Sequence, residues 1–293
     1  MYDEPETGCA TVAMRWRSSR SSSGDSNMKQ LVAQLTAISE ARTDQELWER
    51  HVEIMRGYGF AYLLYGFTRY LTDRSLGDPA DWIVLSTYPT GFTEVFVDQR
   101  LFYHAPMVKW VINNDGVCSW RHISEMRHAG TLTDKELEVV AFNAKFGLKA
   151  GYTVSFRGVS NRSRAGIALA VGPDRTQDEV DEMWKRDGQS ITVINHMMHL
   201  KLLTLPYSGA RPLTRRQIEV LQWVGDGKTN DDIAILMGLT VGTVEKHLRL
   251  ARDALNVETT AQAVLKASFF NQMFLLDPEV REKSGFPDFV DVE

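Results

Sequence analysis

Thr243, Glu245, Lys246, Arg249 and Arg252 stand at helical spacing near the C-terminal end of this chain. Between them, Val244, Leu248, Ala251 and Leu255 recur at steps of three and four residues, which places apolar side chains on one helix face and leaves the polar set on the other. A face of this kind has the chemistry to read base edges. A carboxylate such as Glu245 accepts from cytosine N4, and a guanidinium such as Arg249 donates to guanine. Thr243, Glu245, Lys246 and Arg249 are therefore the candidate groove contacts. Arg216, Lys228 and Arg252 are assigned to phosphates, contacts that fix register without reading sequence.

A reading helix needs a second helix to aim it. The residues before it, 213–240, supply one. A helix is expected over Arg215–Gly225, with Ile218, Leu221 and Val224 at helical spacing and Gly227 closing it. Asn230 or Thr229 caps the next helix, whose buried stripe is expected to be Ile233, Ala234, Leu236 and Met237. Gly238 ends that helix, a turn of about three residues follows, and the reading helix starts near Gly242–Thr243. With a fourth helix after Leu255, residues 213–273 form an all-α helix-turn-helix unit.

This segment resembles the LuxR/GerE-type DNA-binding domain. The matching residues are Leu213-Thr214-x-Arg216, Glu219-Val220-Leu221, Gly227-Lys228-Thr229, Asp232-Ile233-Ala234, Thr243-Val244-x-x-His247, Leu255-x-Val257 and Ala261-x-Ala263-Val264. Two positions depart: Gln217 stands where the family usually has Glu, and Thr260 where Arg is common. The resemblance implies a transcription regulator that binds double-stranded DNA.

Charge gives no independent support. The 293 residues carry a net charge of −5, and residues 211–274 hold eight Lys/Arg against seven Asp/Glu. Phosphate affinity must come from local clustering of Arg211, Arg215, Arg216, Lys228, Lys246, Arg249 and Arg252, so two domains are expected to act together as a dimer. Cys9 and Cys118 cannot build a disulfide framework, and no apolar run reaches the ~20 residues of a membrane span. A cytoplasmic protein with no membrane attachment is expected.

Residues 1–26 are Ser/Arg-rich and aperiodic, which predicts an unstructured extension, or a true start at Met14 or Met28. Residues 27–204 alternate helices and strands: helices over Lys29–Glu40 and Asp44–Tyr58, strands over Ala61–Leu71 and Asp81–Tyr88, and a helix over Asp134–Phe146. Strands Gly151–Phe156 and Gly166–Val171 and a long helix Gln177–Leu203 follow. The fold class expected is α+β: an N-terminal α/β/α sandwich with an antiparallel sheet, then the all-α unit. Residues 205–212 read as a linker and 274–293 as an acidic tail.

The order of elements looks like the acyl-homoserine-lactone-binding domain of the quorum-sensing members. The residues carrying that likeness are Tyr88-Pro89-x-x-Phe92, Pro106 fourteen residues after Phe92, Cys118-Ser119-Trp120, and Phe146-Gly147-Leu148-x-x-Gly151. The resemblance implies an apolar pocket between sheet and helices, with few polar groups. Carried over, Tyr88 and Trp120 would contact the acyl and lactone carbonyls. Ala105 occupies the position of the Asp that accepts the ligand amide. Phe92 replaces a Trp, Phe96 a Tyr, and Ala170 a Ser or Thr. Losing the Asp weakens the hold on an ordinary acyl-homoserine lactone by roughly 10- to 100-fold. Either the signal is a different apolar or aromatic molecule, or the domain folds without one. His104 is a candidate replacement acceptor.

Other features have plainer readings. Cys118 is a small buried residue. His196 and His199 lie one turn apart but have no third ligand near them in sequence, so no metal is expected. Met197 and Met198 read as core or dimer-interface packing. No G-x-S-x-G, phosphate-cradling loop or H-E-x-x-H is present, so neither a cofactor nor an enzymatic activity is expected. A phosphorylated receiver domain is a poor fit, because the early strands do not end in the acidic cluster such a domain needs for Mg²⁺ and the pattern is not five repeated βα units. Two functions follow: a homodimeric regulator answering a small signal, dimerising through Gln177–Leu203, or a ligand-independent protein that heterodimerises with a related regulator and blocks it.

Overall fold

The computed structural model describes residues 22–72, 75–156, 158, 160–207 and 212–273. Most of the extension, the acidic tail and Arg211 lie outside them. The first helix, α1 (Ser22–Ser39), begins inside the stretch expected to be unstructured. It is followed by α2 (Asp44–Gly57), and both pack against α7 (Gln177–Leu202), a helix of 26 residues. Thr43 caps α2, and a reciprocal Thr176–Glu179 capping box starts α7.

Five antiparallel strands form one sheet in the order β2-β1-β5-β4-β3. They are β1 (Tyr62–Thr68), β2 (Ile83–Ser86), β3 (Gly116–Ser119), β4 (Gly151–Phe156) and β5 (Arg164–Ala170). Strand alternation divides the core in two. Leu63, Tyr65, Phe67, Val154, Phe156, Ile167 and Leu169 meet α1, α2 and α7 on one face. The opposite face carries Leu64, Gly66, Thr68, Thr153, Arg164, Gly166 and Ala168. It is covered by α3 (Phe92–Asp98), α4 (Pro106–Asn113), α5 (Arg121–His128) and α6 (Asp134–Lys145). The α/β/α sandwich is as expected. Strand β3 and helices α3, α4 and α5 were not. They are four to eight residues long, too short to display a period, and α3 starts from a Gly91 at φ 83° with no side-chain cap.

The C-terminal unit is four helices: α8 (Arg215–Gly225), α9 (Asn230–Met237), α10 (Val241–Leu255) and α11 (Thr260–Phe269). Thr229 caps α9, and Gly238 closes it at φ 64°. Val220, Leu221, Ile233, Ala234, Val244, Leu248, Ala251 and Leu255 form its core. Leu236 was expected in that core and is instead exposed at 52 %, because a two-turn helix presents only the narrow stripe of Ile233, Ala234 and Met237. Gln217 keeps the role of the usual Glu, accepting from the Thr214 backbone N–H at 2.8 Å to complete a capping box.

Candidate functional site: a glycine-floored cavity and a helix-turn-helix face

A cavity of about 160 Å³ lies between the sheet and helices α3 and α4. Its floor follows from register. Gly66 of β1 sits directly opposite Gly166 of β5, with Leu64 opposite Ala168 on one side and Thr68 opposite Arg164 on the other. Two paired glycines leave a strip of backbone where side chains would otherwise stand. A Cβ on Gly66 would meet nothing within 4 Å, whereas one on Gly166 would strike Val111 of α4 at 2.9 Å. Gly166 therefore lets α4 approach the sheet, and Gly66 leaves room. Trp82, Val84, Phe96, Phe102, Met107 and Val108 contribute apolar walls.

Of the seven ligand-site candidates, among the described residues only Phe96 lines this cavity. Phe92, Phe96, Ala105, Trp120 and Ala170 do come together, in an apolar cluster that Tyr88 packs against and that shares Phe96, Phe102, Trp82 and Met107 with the cavity lining. Phe92 is at its centre, with ring centroids 4.8 Å from Tyr88, 5.3 Å from Phe96, 5.1 Å from Phe142 and 5.3 Å from Phe146. Burial pushes the Tyr88 phenol upward, so it remains protonated. The indole N–H of Trp120 donates to Thr153 Oγ1 at 2.9 Å. Ala105 is the N-cap of α4 without a side-chain cap bond. His104 ends a 3-10 turn over Leu101–His104 and does not reach the cavity.

The polar side chains that do line the cavity are Thr68, Thr93, Thr153 and Arg164. Thr68 Oγ1 donates to the Leu76 carbonyl at 2.8 Å and accepts from the Tyr70 N–H. Thr93 donates to Ser86. Arg164 Nη1 donates to Asp115 at 2.9 Å, while its Nε is buried and has no acceptor among the described residues. Gly66, Gly166 and Arg164 were missed in the sequence. The signal that reveals them is the pairing of two mid-strand glycines across a register the sequence does not print.

Helix α10 presents the second site. Glu245, Lys246 and Arg249 are exposed, and Val244, Leu248, Ala251 and Leu255 are buried. Thr240 caps the helix, and its hydroxyl lies 2.9 Å from that of Thr243. Arg249 is held by Asp253 at 3.0 Å, and Arg216 by Glu219 at 2.8 Å. Exposed pairs of this kind contribute ~0–1 kcal/mol and yield to a better partner. Lys228 is exposed beside the cap of α9. Arg252 donates to Thr260 Oγ1 at 3.0 Å, so the unusual Thr260 anchors α11 to α10.

The two units touch. Lys266 of α11 pairs with Asp81, next to the cavity-lining Trp82, and both side chains are largely buried. Arg69 lies over the rings of Phe67 and Phe269, at 5.3 and 5.2 Å from their centroids. His199 and His196 act structurally: His199 Nδ1 takes the Tyr65 hydroxyl at 2.8 Å, and His196 Nδ1 meets the Thr192 carbonyl at 2.9 Å.

Comparison with known proteins agrees with this architecture. Residues 43–202 match the autoinducer binding domain, and residues 211–267 match the bacterial regulatory proteins of the luxR family. The chain is 26% identical over 235 residues to the transcriptional activator protein AnoR of Acinetobacter nosocomialis, covering 80% of this chain and 94% of the relative. It is 22% identical over 197 residues to the transcriptional activator protein ExpR of Dickeya dadantii, covering 64% and 76%. A solved structure, SdiA in complex with octanoyl-rac-glycerol, aligns at a TM-score of 0.47 and 15% identity over 83% of this chain and 95% of that one. Among the described residues no helix is long and apolar enough to cross a membrane. The chain belongs to the luxR family of bacterial regulatory proteins, a family of transcription regulators rather than enzymes, and carries an autoinducer binding domain ahead of its helix-turn-helix unit.

Proposed function

We propose that this chain is a cytoplasmic homodimeric transcription regulator whose first domain takes a small apolar signal and whose α10 helices read a two-fold symmetric operator. The observation that carries the sensing half is the cavity over the Gly66–Gly166 floor, a built space facing the helical layer. The face of Thr243, Glu245, Lys246 and Arg249 supports the reading half, with Arg216, Lys228 and Arg252 on phosphates. Exposed Val193 and Leu200, seven residues apart on α7, and exposed Met28 and Val32 on α1 support self-association along these packed helices. Signal binding would stabilise the folded dimer by mass action.

The dense aromatic packing around Phe92 favours one rival reading. Phe92, Phe96, Ala105, Trp120 and Ala170, the positions the family resemblance gives to the lactone head, are filled by the protein's own rings and a Trp120–Thr153 bond. A ligand-independent regulator, or a partner that blocks a related regulator by heterodimerisation, would need no more than that. Native mass spectrometry of the protein purified from its own host separates the two. A stoichiometric small molecule released into organic solvent supports the sensor. A ligand-free dimer that still binds DNA supports the scaffold.

A further inference from the structure

Resting on the reading of the first domain as a signal receptor, we infer that Arg69 and Asp81 carry the state of the cavity to α11: a filled cavity holds both residues in place, and they in turn fix the aim of the reading helix α10. The two residues stand at either end of the connection between β1 and β2, and each adjoins a residue of the cavity wall. Thr68 precedes Arg69, and Trp82 follows Asp81. The wall residues are tied to one another. Thr68 Oγ1 and Trp82 Nε1 both donate to the Leu76 carbonyl at 2.8 Å, and Leu76 itself lines the cavity. The Trp82 ring stands edge-on to Phe102, another wall residue, at 4.7 Å. Their neighbours grip the other unit. Asp81 pairs with Lys266 of α11, and Arg69 lies over the rings of Phe67 and Phe269. The same short elements are thus cavity wall at Thr68 and Trp82 and clamp at Arg69 and Asp81.

The clamp governs where α10 points. Ala263 and Ala267 of α11 share one core with Val244 and Leu248 of α10, and Arg252 donates to Thr260 at 3.0 Å, so the two helices move as one body. Asn271 Nδ2 donates to the carbonyls of Leu203 and Leu205 at 2.6 and 3.1 Å, which pins the end of α11 beside the end of α7. Lys266 and Phe269 then fix its rotation about that pin. Glu245, Lys246 and Arg249 stay exposed in the clamped chain, so the contact aims the reading face and does not cover it. A two-fold operator requires two such faces at a set spacing, and fixing them before DNA arrives removes an ordering cost from binding. The cavity acts on the clamp from behind. Side chains around an unfilled space lack partners on one side and relax toward it, and an occupant restores those partners behind Leu76 and Trp82. Such coupling is reciprocal: by the factor that an occupant favours the clamped state, the clamped state favours the occupant.

The test uses that reciprocity with benzene as the probe. A cavity of about 150 Å³ with apolar walls holds benzene, and this one is about 160 Å³. Four full-length proteins are compared: the natural chain, Asp81→Asn, Arg69→Met, and the exchanged pair Asp81→Lys with Lys266→Asp. Neither Asp81 nor Arg69 lines the cavity, so a substitution there reaches benzene only through the wall. Calorimetry is expected to show benzene bound by the natural protein, held about fivefold more weakly by each single variant, and recovered by the exchanged pair. Benzene is also expected to tighten the natural protein on the duplex it selects by about fivefold, and to leave Asp81→Asn unchanged on that duplex. Equal benzene constants in the natural protein and both single variants overturn the coupling while leaving the cavity a ligand site. No benzene binding by the natural protein overturns it as well. The sensor reading fails separately, on the absence of any small molecule carried from the host.

Discussion

The indole N–H of Trp120 points into its own domain, donating to Thr153 Oγ1 at 2.9 Å. The bond joins the residue opening α5 to the cavity-facing side of β4, and it closes the end where family resemblance placed the ligand's polar head. Thr153→Val keeps the shape and removes the acceptor. A buried indole N–H is then left unpaired at a cost of about 1–3 kcal/mol. The urea midpoint should fall accordingly, and an unchanged midpoint would show that the bond contributes nothing.

Filling the floor of the cavity should separate folding from sensing. Gly66 has ordinary strand geometry and open space where a Cβ would go. Gly66→Val adds a β-branched side chain to a strand, a change that favours the folded state by on the order of 1 kcal/mol. The melting temperature should rise by a few degrees while the protein no longer retains a small molecule from its host. Retained binding in a stable variant would place the ligand elsewhere.

The contact between the two units is a buried ion pair with a measurable signature. Lys266→Met strands the Asp81 carboxylate in a site where it is 15 % exposed, and the expected cost is on the order of 2–4 kcal/mol. Pairing it with Asp81→Leu should recover most of that loss. A double-mutant cycle with no coupling energy would show that the units do not hold each other through this pair.

Acid should destabilise the first domain through two histidines. Burial lowers His51 to about 3 and His199 to about 4. His51 Nε2 donates to Asn195 Oδ1 at 3.1 Å, and its Nδ1 has no partner among the described residues, so protonation would strand a charge in the core. Both folded-state values lie below the ~6.5 of a free imidazole. The unfolded chain therefore binds protons the folded chain does not, and stability falls as pH drops from about 6.5 toward 4. Between pH 6.5 and 5 the loss is at most about 4 kcal/mol for the pair. Urea midpoints at pH 7 and pH 5 should differ, and the double variant His51→Gln, His199→Gln should flatten the slope. Equal midpoints in the natural protein would refute this.

What the chain discloses in one dimension follows element length and local chemistry. Helices with threonine caps and long amphipathic runs, α2, α6, α7 and α8, were legible to within about a turn. The polar face of α10 was equally plain, because its whole pattern lies on that single helix. The layer formed by α3, α4 and α5 was not legible, since its short helices are held by the Phe92 cluster rather than by propensity. The cavity was hidden for a related reason. Gly66 and Gly166 are one hundred residues apart and acquire meaning only when β1 and β5 pair. Tyr88, Phe92 and Trp120 were correctly expected to be near one another, yet sequence spacing does not show whether a cluster encloses a space or fills it.

The most direct test of the central claim is selection from random duplex DNA by the full-length protein, repeated with Arg249→Ala. The account predicts enrichment of a two-fold symmetric sequence with half-sites about one helical turn apart. It also predicts loss of that preference in the variant, with residual salt-sensitive binding to any duplex. No enrichment by the natural protein, or the same sequence enriched by both, would contradict a regulator that reads DNA through α10.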